Sequence, residues 1–372
     1  MLPLSRPDIS ALEKTYVADV LDSGRLALGP YLSAFEEKMA ALCGVKHAVA
    51  VSSGTAALHL IVRGLGLEAG DEVVTTPYSF VASSNCLLYE GVTPRFVDID
   101  PDTYGIDVDQ IEAAITPATR AILAVDVFGQ PADWPALEAL AARHDLLLID
   151  DACEAPGASI GGRRIGAWGH AAAFGFYPNK PVTTGEGGCI ATDDAALAEA
   201  CRSMCNQGRR TPAHMEHVRL GYNYRLDELS AAVGCAQLER IDALLGRRRQ
   251  VAAWYDDALS GLADRFRRPA EQPGSTRSWF VYVIELRPDS EPGLRDRVMA
   301  HLQEAGIGCA PYFPAIHLQP YYRERFGYRP GAFPRCESIS ARTLALPFYS
   351  TLRESEVEHV ARALKNAFSA AS

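Results

Sequence analysis

The chain has 372 residues, more than one domain usually holds, so a large domain joined to a smaller one is expected. Apolar residues make up 48% and charged residues 22%, which excludes a disordered or fibrous protein. With 36 basic and 46 acidic residues the formal charge is −10, which disfavours nucleic acid and anionic membranes as partners; the basic run Arg247, Arg248, Arg249 reads as a solvated helix face.

The N-terminal residues lack the basic stretch, apolar run and small-residue cleavage site of a secretory signal. No apolar run nears the roughly 18 residues that span a bilayer. Nine cysteines, an odd number with no Cys-x-x-Cys pair, fit a reducing cytoplasm rather than a disulfide framework or a zinc site. From residue 47 to about 192, β-rich runs at 47–52, 72–76, 95–98, 121–128, 146–150, 171–176 and 188–192 alternate with helical stretches at 56–64, 81–89, 108–115 and 134–143. That pattern predicts an α/β layer of mostly parallel strands, with functional residues at the strands' carboxyl ends. Over 226–245, Leu226, Leu229, Val233, Ala236, Ile241 and Leu244 form one apolar stripe, which predicts a single long helix linking two domains. Strands at 279–286, 307–313 and 343–346, with helices at 294–305 and 354–368, then suit a smaller α/β cap. His214 and His217 sit in a loop-like stretch with no acidic or cysteine partner at ligand spacing, so no metal site is expected.

Four features carry chemistry. Val51-Ser-Ser-Gly-Thr-Ala-Ala57 leads from a strand into a helix and presents backbone N–H groups and hydroxyls at a helix N-terminus, a seat for phosphate. Phe80 follows the next strand and can lie flat on a pyridine ring. Leu146-Leu-Leu-Ile-Asp-Asp-Ala-Cys-Glu154 ends a strand in carboxylates, and an aspartate there can pair with a protonated pyridine nitrogen. Phe174-Gly-Phe-Tyr-Pro-Asn-Lys180 then places a lysine between a buried strand and a glycine-rich turn, where desolvation makes an amine nucleophilic enough for Schiff-base chemistry. Each is ordinary alone, as a helix cap, a core aromatic, a turn aspartate or a surface lysine; their order along the chain makes them specific.

From Pro3 to about Leu364 the chain resembles the DegT/StrS-type nucleotide-sugar aminotransferases of pyridoxal 5'-phosphate (PLP) fold type I. The matching segments are Ser53-Gly-Thr-Ala-Ala-Leu-His-Leu60, Pro77-Tyr-Ser-Phe-Val-Ala82, Asp150-Asp-Ala-Cys-Glu154, Phe176-Tyr-Pro-Asn-Lys180, Gly185-Glu-Gly-Gly188, Gly221-Tyr-Asn-Tyr-Arg225 and His317-Leu-Gln-Pro320. The resemblance implies a large PLP-binding domain over 1–245, with a mostly parallel seven-stranded sheet and an N-terminal helical segment, and a small C-terminal α/β domain over 246–372. It implies that Lys180 holds PLP, Asp151 pairs with the pyridine nitrogen, Phe80 stacks on the ring, and Ser53, Gly54 and Thr55 hold the phosphate. Asn223 is expected to reach the cofactor phosphate of the neighbouring subunit in a homodimer with shared active sites, supported by Arg225, while His317 and Thr184 are expected near the substrate.

Two departures stand out. Where the family commonly has a serine five residues before the lysine this chain has Gly175, so one phosphate hydrogen bond must come from elsewhere. Glu154 stands where glutamine or histidine is frequent, and a carboxylate there repels the cofactor's phenolate unless protonated or turned aside. Perosamine synthase-like members share Glu154, Asn179-Lys180 and Thr183-Thr-Gly-Glu-Gly-Gly188, which favours amination at C4 of a 4-keto-6-deoxy sugar, with glutamate as donor and pyridoxamine 5'-phosphate as the intermediate cofactor form. The alternatives are a C3 sugar aminotransferase, a PLP-dependent sugar dehydratase, whose relatives carry histidine in place of the lysine, and a non-catalytic regulatory protein of the same fold.

Overall fold

The structure, a computed structural model, describes residues 1–211 and 215–371, so His214 lies outside the described residues. Seven strands, β1 (His47–Val51), β2 (Glu72–Thr75), β3 (Thr93–Phe96), β4 (Thr119–Val125), β5 (Leu147–Asp151), β6 (Ala171–Gly175) and β7 (Gly188–Thr192), form one sheet in the order β1-β7-β6-β5-β4-β2-β3. The pairs β2–β3, β2–β4, β4–β5 and β5–β6 are parallel, and β7 runs antiparallel to both neighbours. The fold is the mostly parallel α/β arrangement expected.

Both faces of the sheet are covered, which is why its strands are almost continuously apolar. The helices before and between the strands are α1 (Ala11–Ser23), α2 (Pro30–Cys43), α3 (Gly54–Gly64), α4 (Ala82–Tyr89), α5 (Val108–Ala114) and α6 (Trp134–His144), and α7 (Ala195–Cys205) and α8 (Glu228–Glu239) follow the last strand. Strand alternation sends Ile122, Ala124, Leu148 and Ala172 to a core with Phe35, Trp134, Leu137 and Cys235. Leu123, Ile149 and Ala173 go to the opposite core with Leu58, Ile61, Leu87 and Cys201.

The single helix predicted over 226–245 is two. At Arg240 the backbone leaves helical geometry (φ −104°, ψ 5°), and its guanidinium reaches Asp8 at 2.8 Å and Glu13 at 2.6 Å. The following helix, α9 (Ile241–Leu259), packs Ile241 into the sheet's core and Val251 and Tyr255 into a second, C-terminal core, so it runs through the division expected at residue 245. That second core lies on an antiparallel sheet of β8 (Phe266–Arg267), β9 (Tyr282–Leu286) and β10 (Thr343–Leu346), with α10 (Leu294–Glu304) and α13 (Glu354–Ala371) around it, while α11 (Pro320–Phe326) packs Tyr322 against Phe96 and α12 (Pro334–Arg342) buries Cys336 and Ile339 in a third cluster. The strand predicted over 307–313 reduces to isolated bridges, Ile307 with Leu2 and Ala310 with Ala345. Pro311 and Pro314 lack the N–H groups a longer ladder needs. No described helix is long and apolar enough to cross a membrane.

One side chain ties the start of α2 to α8. Glu228, buried in the first turn of α8, accepts hydrogen bonds from the N–H groups of Gly29, Tyr31 and Leu32 at 2.8, 3.0 and 2.9 Å. It thereby caps α2, whose own N-cap residue Gly29 has no side chain to do so. Glu228→Ala strands buried donors and is expected to lower the unfolding free energy by about 3 kcal/mol; a urea midpoint unchanged from the parent chain would contradict this.

Candidate active site

A cavity of about 460 Å³ opens at the carboxyl ends of β4, β5 and β6 and is lined there by Val125, Asp151 and Gly175. The turn from β1 into α3 forms one wall. Ser53 caps α3 by accepting the Ala56 N–H at 3.0 Å, and Gly54 and Thr55 carry the helix's first turn, with its outward N–H groups, along the cavity. This turn lies against the sheet itself. A Cβ on Gly188 would stand 2.3 Å from the Ser53 carbonyl oxygen, and one on Gly54 would stand 2.8 Å from Cys153 Sγ and 3.1 Å from Gly175 Cα.

Asp151, at the end of β5, is buried and accepts from Ser83 Oγ at 2.6 Å and from the Cys153 N–H at 3.3 Å. Lys180 sits in the turn after β6 with its side chain 15% exposed; its ammonium lies 3.3 Å from Glu154 Oε1 and 4.1 Å from the centre of the Phe280 ring. The other Glu154 oxygen accepts the Phe128 N–H at 2.7 Å. Burial pushes the Glu154 carboxyl up from its ordinary range, while the Lys180 ammonium and the Phe128 N–H pull it back. The carboxyl group is thus both turned toward the lysine and anchored by a backbone donor.

Ser53, Gly54, Thr55, Phe80, Asp151, Glu154 and Lys180 all line this cavity, as the sequence placed them. The remaining four do not. Asn223 is exposed, on a segment where the Tyr224 carbonyl accepts the Ser52 N–H at 2.7 Å, and Arg225 donates to Asn206 Oδ1 at 3.0 Å. Thr184, expected near substrate, is buried beneath the loop with its hydroxyl donated to the Glu186 carbonyl at 2.6 Å. His317, also expected there, has a side chain with 0% exposure, bonded to Glu337 at 2.9 Å and packed edge-on against Phe333. Its imidazole has no open face for a substrate. Burial holds it below the ordinary histidine range against the opposing pull of Glu337. Sequence reasoning missed Ser83, Phe280 and Tyr312, which line the cavity. Ser83, one helical turn beyond Phe80, carried a local signal; the other two come from distant segments.

PLP needs an anion seat, a slot for a flat ring, an acid at the ring nitrogen and an amine at the aldehyde. The first turn of α3, Phe80, Asp151 and Lys180 line one cavity and fit these requirements. The DegT/DnrJ/EryC1/StrS aminotransferase family model matches residues 7–365. The chain belongs to that family. It is 36% identical over 364 residues to the GDP-perosamine synthase of Caulobacter vibrioides, covering 98% of this chain and 97% of that one. DesV of S. venezuelae, solved with a ketimine intermediate, superposes with a TM-score of 0.90 at 39% identity, over 96% of this chain and 94% of its own. The PLP form of a putative sugar aminotransferase from Streptococcus pneumoniae superposes at 0.94 with 25% identity, over 100% and 99%. As a member of the family this chain is a PLP-dependent sugar aminotransferase.

Behind the cavity lies a carboxyl pair. Asp126 Oδ1 accepts from the Ala132 N–H at 2.8 Å and the Trp134 indole N–H at 2.9 Å, and Asp150 Oδ2 meets the Gly166 N–H at 3.4 Å. The two side chains are fully buried, Asp126 Oδ2 and Asp150 Oδ1 have no hydrogen-bond partner among the described residues, and burial pushes both carboxyls upward. The folded chain then holds a proton that the unfolded chain releases above about pH 4, so this contribution to stability is present at low pH and lost as pH rises through the pair's raised range. Asp150→Asn, which removes one titrating carboxyl from the pair, is expected to flatten that decline between pH 6 and 8.5 in urea unfolding; an unchanged pH slope would contradict the raised Asp150 carboxyl. For the anion seat, Gly188→Ala is expected to weaken PLP binding by about 10-fold or more, because the turn it displaces is backbone; fluorescence titration of the apoprotein reads this directly.

Proposed function

We propose that this aminotransferase moves an amino group from glutamate to C4 of a nucleotide-linked 4-keto-6-deoxy sugar, working in the cytoplasm as a homodimer. The observation that carries the reading is the convergence of Lys180, Asp151 and the first turn of α3 on one cavity, in a chain similar throughout its length to a GDP-perosamine synthase. A second cavity of about 700 Å³ shares Ser79, Phe80 and Phe313 with the first, which gives a substrate much larger than an amino acid room beside the reacting centre.

When bound, PLP supplies an electron sink and carries the amino group between two half-reactions. The protein's part is placement and proton transfer. Lys180 holds the cofactor at rest and, once displaced, its amine takes the proton from the donor's α-carbon and later returns one to the sugar carbon. Asp151, kept in place by Ser83, would pair with the ring nitrogen. The Gly54 and Thr55 amides and the Ser53 hydroxyl would hold the phosphate, and Phe80 would cover the ring. Glu154 faces Lys180 and can exchange its pairing as the amine changes charge. Asn223, exposed and carried on a segment tied to β1, reaches the neighbouring subunit's cofactor phosphate, with Arg225 bracing the segment through Asn206.

Incubation of the PLP-loaded protein with L-glutamate and a panel of GDP-, UDP- and dTDP-linked keto sugars tests the reading. The expected result is ping-pong formation of a 4-amino sugar and 2-oxoglutarate, with Lys180→Ala slower by about 10³-fold or more. Turnover of a 3-keto sugar alone would overturn the positional choice, and turnover by Lys180→Ala at the parent rate would overturn the lysine's role.

A further inference from the structure

Within the Arg247, Arg248, Arg249 run, which the sequence presents as a solvated face, the structure separates one residue from its neighbours. Arg247 and Arg249 are exposed, whereas Arg248 is 3% exposed in the middle of α9. Among the described residues its guanidinium donates only to backbone carbonyls: Nη1 to Trp279 at 3.2 Å and Phe280 at 3.1 Å, and Nη2 to Lys180 at 3.3 Å. Burying a cation whose hydrogen-bond partners include no carboxylate is unfavourable, and burial pushes this guanidinium down to about 10. The three carbonyls explain its retention. Two belong to the segment that leads into β9 and one to the turn after β6, so a single planar group fixes two chain segments roughly 100 residues apart in sequence.

Those segments meet again at the reactive amine. The Lys180 ammonium rests 4.1 Å from the centre of the Phe280 ring, and the carbonyls of the same two residues are both bonded to Arg248. Trp279, bonded alongside, holds a positive φ of 56°, a conformation costly for a bulky side chain and sustained only by its surroundings. We infer that Arg248 is a positioning residue for Lys180: it fixes the lysine's backbone relative to the Phe280 ring and so sets where the amine can reach. The inference rests on Lys180 being the cofactor-linked lysine.

The test uses full-length protein, stripped of PLP and then reloaded, as parent, Arg248→Lys, Arg248→Met and the exposed control Arg249→Ala. Stopped-flow absorbance near roughly 410 nm follows formation of the borohydride-sensitive lysine-linked chromophore, and urea unfolding is measured beside it. Arg248→Lys keeps a buried cation but cannot span three carbonyls, so its chromophore is expected to form at least about 10-fold more slowly, with Arg249→Ala unchanged. Arg248→Met is expected to be slower still. A lowered unfolding midpoint with parent-like chromophore formation in Arg248→Lys would make Arg248 a structural strut and overturn the inference. Absence of the chromophore in the parent protein would instead overturn the assignment of Lys180 on which it stands.

Discussion

The site depends on a backbone-to-backbone contact. The turn at Ser53 and Gly54 lies directly on the ends of β6 and β7, so close that a methyl group at Gly188 would stand 2.3 Å from the Ser53 carbonyl. Protein interiors transmit such contacts as displacements, because there is no void to absorb them. Glycine at 54 and 188 therefore sets the height of the α3 N-terminus above the sheet, and that height decides whether its free N–H groups face the same cavity as Asp151 and Lys180. Gly175 belongs to the same contact, since a side chain there would meet Cys153 Sγ at 3.3 Å. A serine here would press its Cβ on that thiol, and Gly175 itself offers no hydroxyl to an anion. Ser53 can make up for it: its oxygen accepts the Ala56 N–H, which leaves its hydroxyl proton available to an anion.

Strand alternation organises the carboxyl groups around that contact. Asp151 points into the cavity and meets two donors, Ser83 Oγ and the Cys153 N–H. Asp150, its neighbour in the strand, faces the other side of the sheet, where it finds one amide at 3.4 Å and another carboxyl group. One residue of register separates an acid that faces the cavity from one whose carboxyl burial pushes well above its ordinary range. Glu154 follows three residues later, beyond the strand, and turns one oxygen toward Lys180 while the Phe128 N–H anchors the other. The sequence Asp-Asp-Ala-Cys-Glu thus distributes three carboxyl groups among three environments within five residues.

Features set by local order along the chain were legible before the structure. The seven strands are visible because burial on both faces makes each a short apolar run, and the phosphate turn, Phe80, Asp151 and Lys180 all follow strand ends. What could not be read depends on distant partners. His317 looks like an available loop histidine until Glu337, twenty residues later, occupies its ring nitrogen and Phe333 covers its face. Arg248 looks like one of three solvated arginines because its partners, Lys180 and Phe280, are 68 and 32 residues away. The break at Arg240 was hidden in an unbroken apolar stripe, since only the positions of Asp8 and Glu13 reveal why the guanidinium turns aside there.

The ties of Arg240 and Arg248 share one element. Helix α9 begins at Arg240, joined to the N-terminal segment through Asp8 and Glu13, and midway along it Arg248 grips the turn that carries Lys180. Its far end, through Val251 and Tyr255, is embedded in the C-terminal core with β9 and β10. Phe280, just before β9, forms part of the cavity wall, so any shift of the C-terminal sheet relative to the seven-stranded sheet moves the ring against which the lysine rests. A helix is stiff along its axis, and the guanidinium leaves little slack between it and the two carbonyl-bearing segments. The amine of Lys180 is therefore placed by the β6 turn and also by the seating of the C-terminal sheet, which couples the packing of the smaller unit to chemistry performed on the larger one.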